Sequence, residues 1–567
     1  MSSARRWGRR AIAAMTVAAV VGLAACTGTE GQDDATTAEE GMVPYLNFGG
    51  FGGGANPQAN YNPYTPTTRL SAVDYVYETL FVINDYTCEE VPWLATEYEW
   101  VDDRTVDLTM RDGVTWNDGE AFDAEDVVFT FQMLKEYPAL DEQGVWRVLE
   151  DVVASDDGTV RMTFTEPGLA FFTQIAVVKI VPEHIWSAVE DPVTFTNSEA
   201  PVGTGPMTVQ SFNGQQLVIE RNPDHWNADE IRVQEIRFSK ADDGGQVDQL
   251  KLIRGDYDMN AMFIPNIDEV YVAEDPENNH YWFPAGSPIS LYLNLEMAPF
   301  DDVAFRQAIA QAINRDEIIE RAQQGYVDAA SQTGLVLPGQ SDWLPEQYAD
   351  GAYVGFDVDS AAADLDAAGY TTDSQGRRLD ADGQPMTFEL IVPGGWNDWV
   401  IAAEVIRDNL AEVGIGVDVQ TPTPEVVTQD RLRGNYEMTF GVRGGSCHML
   451  RNFAEPLGSA STAPIGEETT PSGQPVTNEV RWVDEETDAL LEELRVATDP
   501  EDQRAAVAGL TEIMVEEMPY IQLWYGANWF QYSTRNAVGW PSEDDPYAKP
   551  SNMLLVLQNL RPASTGD

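Results

Sequence analysis

Aromatic rings beside short polar side chains are the most visible chemistry in this chain. The run Val392-Pro-Gly-Gly-Trp-Asn-Asp-Trp-Val400 sets Trp396 and Trp399 around Asn397 and Asp398. An indole face covers the apolar face of a sugar ring, and amide and carboxylate groups take the hydroxyls at its edge. Covering about 100 Å² of ring and sugar face at about 25 cal/mol/Å² contributes roughly 2.5 kcal/mol per platform. The run follows a strand-like segment and opens a helix. Trp396 therefore falls on a loop, where it can face a cleft, whereas Trp399 can join the buried face of the helix. Asp398 has two readings, a helix N-cap or a ligand acceptor. A second run, Trp524-Tyr-Gly-Ala-Asn-Trp529, again combines rings with an amide, Asn528. The competing reading for each of these rings is core filling.

Other chemistries find little support. A glycoside hydrolase needs two carboxylates about 5 to 9.5 Å apart, but among 94 acidic residues proximity in sequence carries no information. There is no nucleophile elbow and no metal-ligand spacing, since His184, His225, His280 and His448 are isolated. The glycines from Gly49 to Gly54 have dinucleotide-like spacing, yet Asn-Pro and Tyr-Asn-Pro-Tyr follow them where a phosphate site needs a helix N-terminus. A loop near a cleft is expected instead. No metal and no cofactor are expected. Cys88 and Cys447 are either one disulfide or two free thiols.

The chain has 567 residues, with 94 acidic and 33 basic side chains and a formal charge of −61. Phosphate backbones would be repelled, which excludes nucleic acid as a partner. The acids are dispersed, as on a solvated surface, and 10% aromatic residues argue for a folded body. Arg5, Arg6, Arg9 and Arg10 precede an apolar run over residues 11–25, and Leu23-Ala-Ala-Cys26 closes it. That run falls short of the roughly 20 residues that span a bilayer. A lipoprotein signal peptide is expected over residues 1–25, with Cys26 as the lipid attachment site and a flexible tether over 26–41. The remaining body exceeds what one core holds.

Helices are expected over residues 127–135 after an Asp123 start, 246–254 before Gly255, 302–313, a following helix capped by Asp316 and ending at Gly325, 360–368 before Gly369, 399–413 before Gly414, and 500–517 after Asp499. Strands are expected over 105–110, 159–165, 217–220, 289–295, 387–392 and 416–420. Their alternation gives an α/β class with mixed sheets.

Several landmarks then point to one family. They are Arg111-Asp-Gly-Val-Thr-Trp-Asn-Asp-Gly119 with Phe122-Asp-Ala-Glu-Asp-Val-Val-Phe-Thr130, Val202-Gly-Thr-Gly-Pro206, Glu220-Arg-Asn-Pro-Asp-His-Trp226, Leu291-Tyr-Leu-Asn-Leu295, Pro299-Phe-Asp-Asp-Val-Ala-Phe-Arg-Gln-Ala308 and Ala312-Ile-Asn-Arg-Asp316. Across nearly the whole mature chain the sequence resembles the extracellular solute-binding proteins of family 5, which serve ABC importers of peptides and oligosaccharides. The runs around Trp396, Tyr77-Glu-Thr-Leu-Phe81, Asn84 and Gly539-Trp-Pro541 resemble its cello-oligosaccharide-binding branch. The resemblance implies a bilobed periplasmic-binding-protein fold of type II with three subdomains and an inter-lobe cleft. Lobe I would cover residues 42–286, with an inserted subdomain at about 65–195. Lobe II would cover 287–522, and a C-terminal segment, 523–567, would return to lobe I. Crossing segments near 287–291 and 521–524 would act as a hinge.

Ligand contacts are then expected from Trp396, Asn397, Asp398, Trp399, Trp524, Tyr525, Asn528, Arg443, Asn84 and Tyr86. Peptide-binding relatives carry an acid near Gly444 and Gly445, where this chain has none, which turns the expectation toward an oligosaccharide, with oligopeptide as the alternative. The resemblance further implies capture without catalysis, a monomer, delivery to a membrane permease, and lipid anchoring on the extracytoplasmic face.

Overall fold

The computed structural model describes residues 41–563 except 51, 53–56, 66, 156–157 and 242–244. The signal peptide, Cys26, nearly all of the tether and most of the glycine-rich run lie outside the described residues.

Two large sheets organise the chain. The seven-stranded sheet has the order Asn279–Tyr281, Gln531–Ser533, Met259–Asn260, Leu46–Gly49, Glu235–Ser239, Gln216–Arg221, Met207–Phe212. The five-stranded sheet has the order Gly416–Gln420, Thr387–Ile391, Met438–Val442, Ala285–Leu293, Ile521–Ala527. Both mix parallel and antiparallel pairs. In the second sheet Thr387–Ile391 and Gly416–Gln420 pair in parallel, which requires a crossover. The Asn397–Glu412 helix supplies it, burying Ala402, Ile406 and Leu410 on one face. A four-stranded antiparallel sheet, Ala95–Asp102, Thr105–Met110, Thr159–Phe164 and Leu149–Ala154, lies in the N-terminal third.

The sheets keep separate hydrophobic cores. The first gathers Phe48, Trp93, Trp116 and Phe238 with the C-terminal Trp540 and Val556. The second gathers Leu291, Ile309, Ile406, Phe440 and Trp524. A neighbouring cluster packs Phe453, Leu494, Leu510 and Tyr520 under the Met449–Leu457, Glu485–Val496 and Pro500–Glu516 helices. An antiparallel ribbon joins the two sheets. Asn279–Tyr281 pairs with Gln531–Ser533 in one sheet, and Ala285–Leu293 with Ile521–Ala527 in the other. Between them the Trp282 N–H donates to the Phe530 carbonyl (3.0 Å), and the Asn528 N–H donates to that of Pro284 (3.1 Å). The passage between sheets thus falls at 282–284 and 528–530, beyond the expected 287–291 and 521–524, which sit within the five-stranded sheet.

Most element bounds agree with the sequence reading. Gln246–Arg254 and its Gly255 cap are as expected, and Asp123 closes a capping box with Asp126. The second helix of the 302–325 pair differs. Its N-cap is Asn314, whose Oδ1 accepts from Glu317 N (3.0 Å), and Asp316 lies inside the first turn, where a carboxylate still meets the positive helix end. The helix after Gly395 begins at Asn397, two residues early, which places Asp398 in its first turn and Trp396 at the N-cap position.

Candidate functional site

A short hairpin, Phe81–Ile83 with Glu90–Pro92, carries the turn on which the site is built. Asn84 folds that turn. Its Oδ1 accepts from the N–H groups of Tyr86 (3.0 Å) and Thr87 (3.3 Å), and its Nδ2 donates to the carbonyl of Tyr547 (2.8 Å). Asn552 Nδ2 donates to the Ile83 carbonyl (2.7 Å) and holds the strand before it. Cys88 ends the turn with a left-handed φ of 61° and forms a disulfide with Cys447. Of the two readings of these cysteines, the structure shows the paired one.

The turn meets the second body across the 334–340 and 444–448 segments. A Cβ on Gly339 would lie 2.2 Å from the Tyr86 carbonyl oxygen, so only glycine permits this approach. Gln340 Nε2 donates to the Ser446 carbonyl (3.1 Å). Tyr525 supports the same segment from below. Its hydroxyl accepts from Ser331 N and Leu337 N (both 3.1 Å) and donates to the Leu335 carbonyl (2.9 Å). Tyr86 stands edge-on to Trp282 of the ribbon (5.7 Å between centroids).

Three cavities surround this turn and share Asp85. The first, about 480 Å³, runs between Gln143, Arg147 and Phe171 on one wall and His448, Leu450 and Arg451 on the other. The second, about 410 Å³, lies between Gly49, Tyr75 and Asn552. The third is a small recess between Tyr86, Gly445 and Lys549. Volumes of about 300–1,000 Å³ are typical of small-molecule sites. His448 caps the Met449–Leu457 helix through Nδ1, which accepts from Arg451 N (3.2 Å). Burial and the nearby Arg451 push its pKa down to about 4, so it stays neutral near pH 7.

The expected ligand residues fall into three groups. Tyr86 lines the small recess, whereas Asn84 is buried within the turn and lines none of the three cavities; Tyr525 is buried against Val336, and Asn528 is tied to the Pro284 carbonyl at the ribbon. Trp396, 45% exposed, forms a separate outward group with Asn397 and Asp398, the last accepting from Gln323 (3.4 Å). Trp399 and Trp524 are interior. Trp396, Trp399, Phe440 and Trp524 form an edge-to-face chain at 4.8, 5.6 and 5.8 Å, and Trp524 is only 2% exposed. Arg443 turns inward to Glu479 (3.1 Å), a buried carboxylate that also pairs with Arg431 (2.8 Å). Sequence reasoning missed Asp85, Arg147, Arg451 and Lys549. Only Asp85 had a signal, its place between Asn84 and Tyr86.

Among the described residues no helix is long and apolar enough to cross a membrane, and no group of three or more His, Cys, Asp or Glu side chains could hold a metal ion.

Two cored α/β bodies joined by a ribbon, with cavities where their walls meet, define the periplasmic-binding-protein type of fold. The family model described as "Bacterial extracellular solute-binding proteins, family 5 Middle" matches residues 89–464, and the chain belongs to that family. The dipeptide-binding protein of Escherichia coli is 27% identical over 309 residues, which cover 50% of this chain and 56% of that protein. The nickel-binding periplasmic protein of the same species is 24% identical over 461 residues, 79% of this chain and 83% of its own. Among solved structures, a periplasmic oligopeptide-binding protein of an ABC transporter from Thermotoga maritima superposes with a TM-score of 0.79 at 28% identity, covering 91% of this chain and 99% of its own. A mannohexaose-bound structure under the same name superposes at 0.70 and 27% identity, covering 94% of this chain and 100% of its own.

Proposed function

We propose that this chain is the extracytoplasmic solute-binding component of an ABC importer, that it holds an oligosaccharide in the cleft beside the 84–88 turn, and that it releases it unaltered to a permease. The bodies on either side of the 282–284 and 528–530 passage would act as the two lobes, with the ribbon serving as hinge. Cys26 would carry the lipid anchor of a monomeric protein. Closure of the lobes would exclude water from the guest.

The observation that carries the choice of guest is charge. The chain as a whole stands at −61, yet the three cavities that share Asp85 balance Asp74, Asp85, Glu142 and Glu455 against Arg147, Lys179, Arg451 and Lys549. Walls of that kind favour a guest without net charge and rich in hydrogen-bonding groups. The mannohexaose-bound Thermotoga structure shows that a protein of this fold, 27% identical, takes such a guest. Oligopeptide is the second reading, favoured by the dipeptide-binding and oligopeptide-binding relatives; a zwitterionic peptide also satisfies balanced walls.

Calorimetric titration of the mature protein with β-glucan and mannan oligosaccharides and with a peptide panel tests the proposal. Micromolar sugar binding, about 8 kcal/mol, is expected. Binding of peptides alone would reject the oligosaccharide. Hydrolysis of the titrated sugar would reject the binding-protein role.

A further inference from the structure

His448 is fixed from several sides. Its neighbour Cys447 is bonded to Cys88. Its own backbone N–H donates to Ser446 Oγ (3.1 Å), and Ser446 N donates to Asn452 Oδ1 (3.0 Å), whose Nδ2 donates to the Gly334 carbonyl (3.2 Å). The ring is held as firmly as the backbone. Nδ1 accepts the N–H of Arg451 (3.2 Å) as the cap of the Met449–Leu457 helix. A backbone N–H can only donate, so Nδ1 carries a lone pair, the imidazole is uncharged, and its proton sits on Nε2. The low pKa that burial and Arg451 impose agrees with this. The ring lines the first cavity, opposite Gln143, Arg147 and Phe171. Among the described residues no group accepts from Nε2.

An uncharged donor on the wall of a cavity of about 480 Å³ is matched by an uncharged oxygen. The gain from such a bond comes from position. The ring is already fixed by its other nitrogen, so little rotamer freedom is lost when a guest binds. The charged neighbour does not compete for the same guest atom, because Arg451 is paired with Glu455 (2.6 Å). We infer that His448 is a specificity-determining residue of the first cavity, its Nε2–H donating to a hydroxyl oxygen of the bound oligosaccharide. This rests on the oligosaccharide reading above and assigns it an atom on the wall of the second body.

One nitrogen serves the fold and the other the guest, and substitutions separate them. Asn and Ser keep a capping acceptor for Arg451 N but carry no donor out to the Nε2 position, whereas Gln brings an amide nitrogen near that position and is not a favoured cap. The test is calorimetric titration of wild type, His448→Asn, His448→Ser and His448→Gln with the oligosaccharide that wild type binds best, alongside the same peptide panel, with thermal midpoints measured without ligand. His448→Asn is expected to weaken sugar binding about three- to tenfold, the loss of one neutral hydrogen bond, at a midpoint close to that of wild type. His448→Gln should recover most of that affinity while melting lower. A purely structural role predicts the reverse, with affinity following the midpoint. His448→Ser carries the test if His448→Asn fails to fold. Sugar affinities within about twofold of wild type in both capping variants, or a His448→Gln as weak as His448→Asn, would overturn the assignment of His448 and leave the oligosaccharide reading intact. A wild type that binds peptides alone would overturn that reading and the hydroxyl acceptor with it.

Discussion

Removing the Cys88–Cys447 disulfide is the most informative single perturbation of this fold. The bond closes a loop with a sequence separation of 359, and it joins the turn of the first body to the 444–448 segment of the second. Chain-entropy bookkeeping for a loop of that length gives about 6 kcal/mol at 25 °C, and native disulfides typically deliver about 2–5 kcal/mol. The double variant Cys88→Ser, Cys447→Ser is therefore expected to lose about 2–5 kcal/mol in urea unfolding compared with the oxidised parent. The bond also limits motion. With Cα atoms 5.2 Å apart, and a bridge unable to span much beyond about 7 Å, the two walls cannot part at this edge of the cleft. The serine variant should then release sugar faster, read by stopped-flow tryptophan fluorescence. A stability loss under about 1 kcal/mol with an unchanged off-rate would refute the reasoning, because the walls would then be held together equally well without the bond.

Two further expectations follow from particular side chains. The pKa of His448 is depressed to about 4 from a usual 6.5, so on acidification the unfolded chain takes up the proton first. Its contribution is intact above about pH 6.5 and is lost progressively as pH falls toward 4, by up to about 3 kcal/mol; His448→Asn, which keeps a capping acceptor, should flatten unfolding free energy measured across that window, and an unchanged slope would contradict the assignment. Trp396→Ala should leave stability within about 1 kcal/mol because the ring is outward, and should weaken sugar binding if this loop touches the guest, whereas Trp524→Ala should cost about 3–5 kcal/mol as a core truncation; an unchanged titration with Trp396→Ala would remove that ring from the site.

What could be read from the sequence had local signals. The 246–254 helix is closed by a terminal glycine and the 500–517 helix has an Asp-Pro start, so their bounds came out within a residue. Thr105–Met110 and Gly416–Gln420 alternate in the strand period and were equally clear. For the second helix of the 302–325 pair the sequence reading places the cap at Asp316, because composition does not rank Asn314 above it. The rings of Trp396 and Trp524 looked alike as candidate platforms. Their difference is the depth of the five-stranded sheet, where Trp524 pairs opposite Ile289 and packs on Phe440, a long-range fact no local pattern carries. Arg147, Arg451 and Lys549 were hidden for the same reason: they stand on segments remote in sequence, and only the fold brings them to the cavities around the turn.

The 84–88 turn gathers residues that are remote in sequence. Asn84 binds it to Tyr547, Cys88 to Cys447, and the Tyr86 carbonyl packs on Gly339. Each tie sets backbone entropy at folding, so little of it is left to be lost when a guest arrives. A neutral sugar makes only hydrogen bonds and ring contacts, and it has no strong ionic term to offset the ordering of a loose loop. A rigid turn is what such a guest requires. The same logic explains the wall charges: Lys179 with Asp74 and Arg451 with Glu455 hold one another's side chains in place.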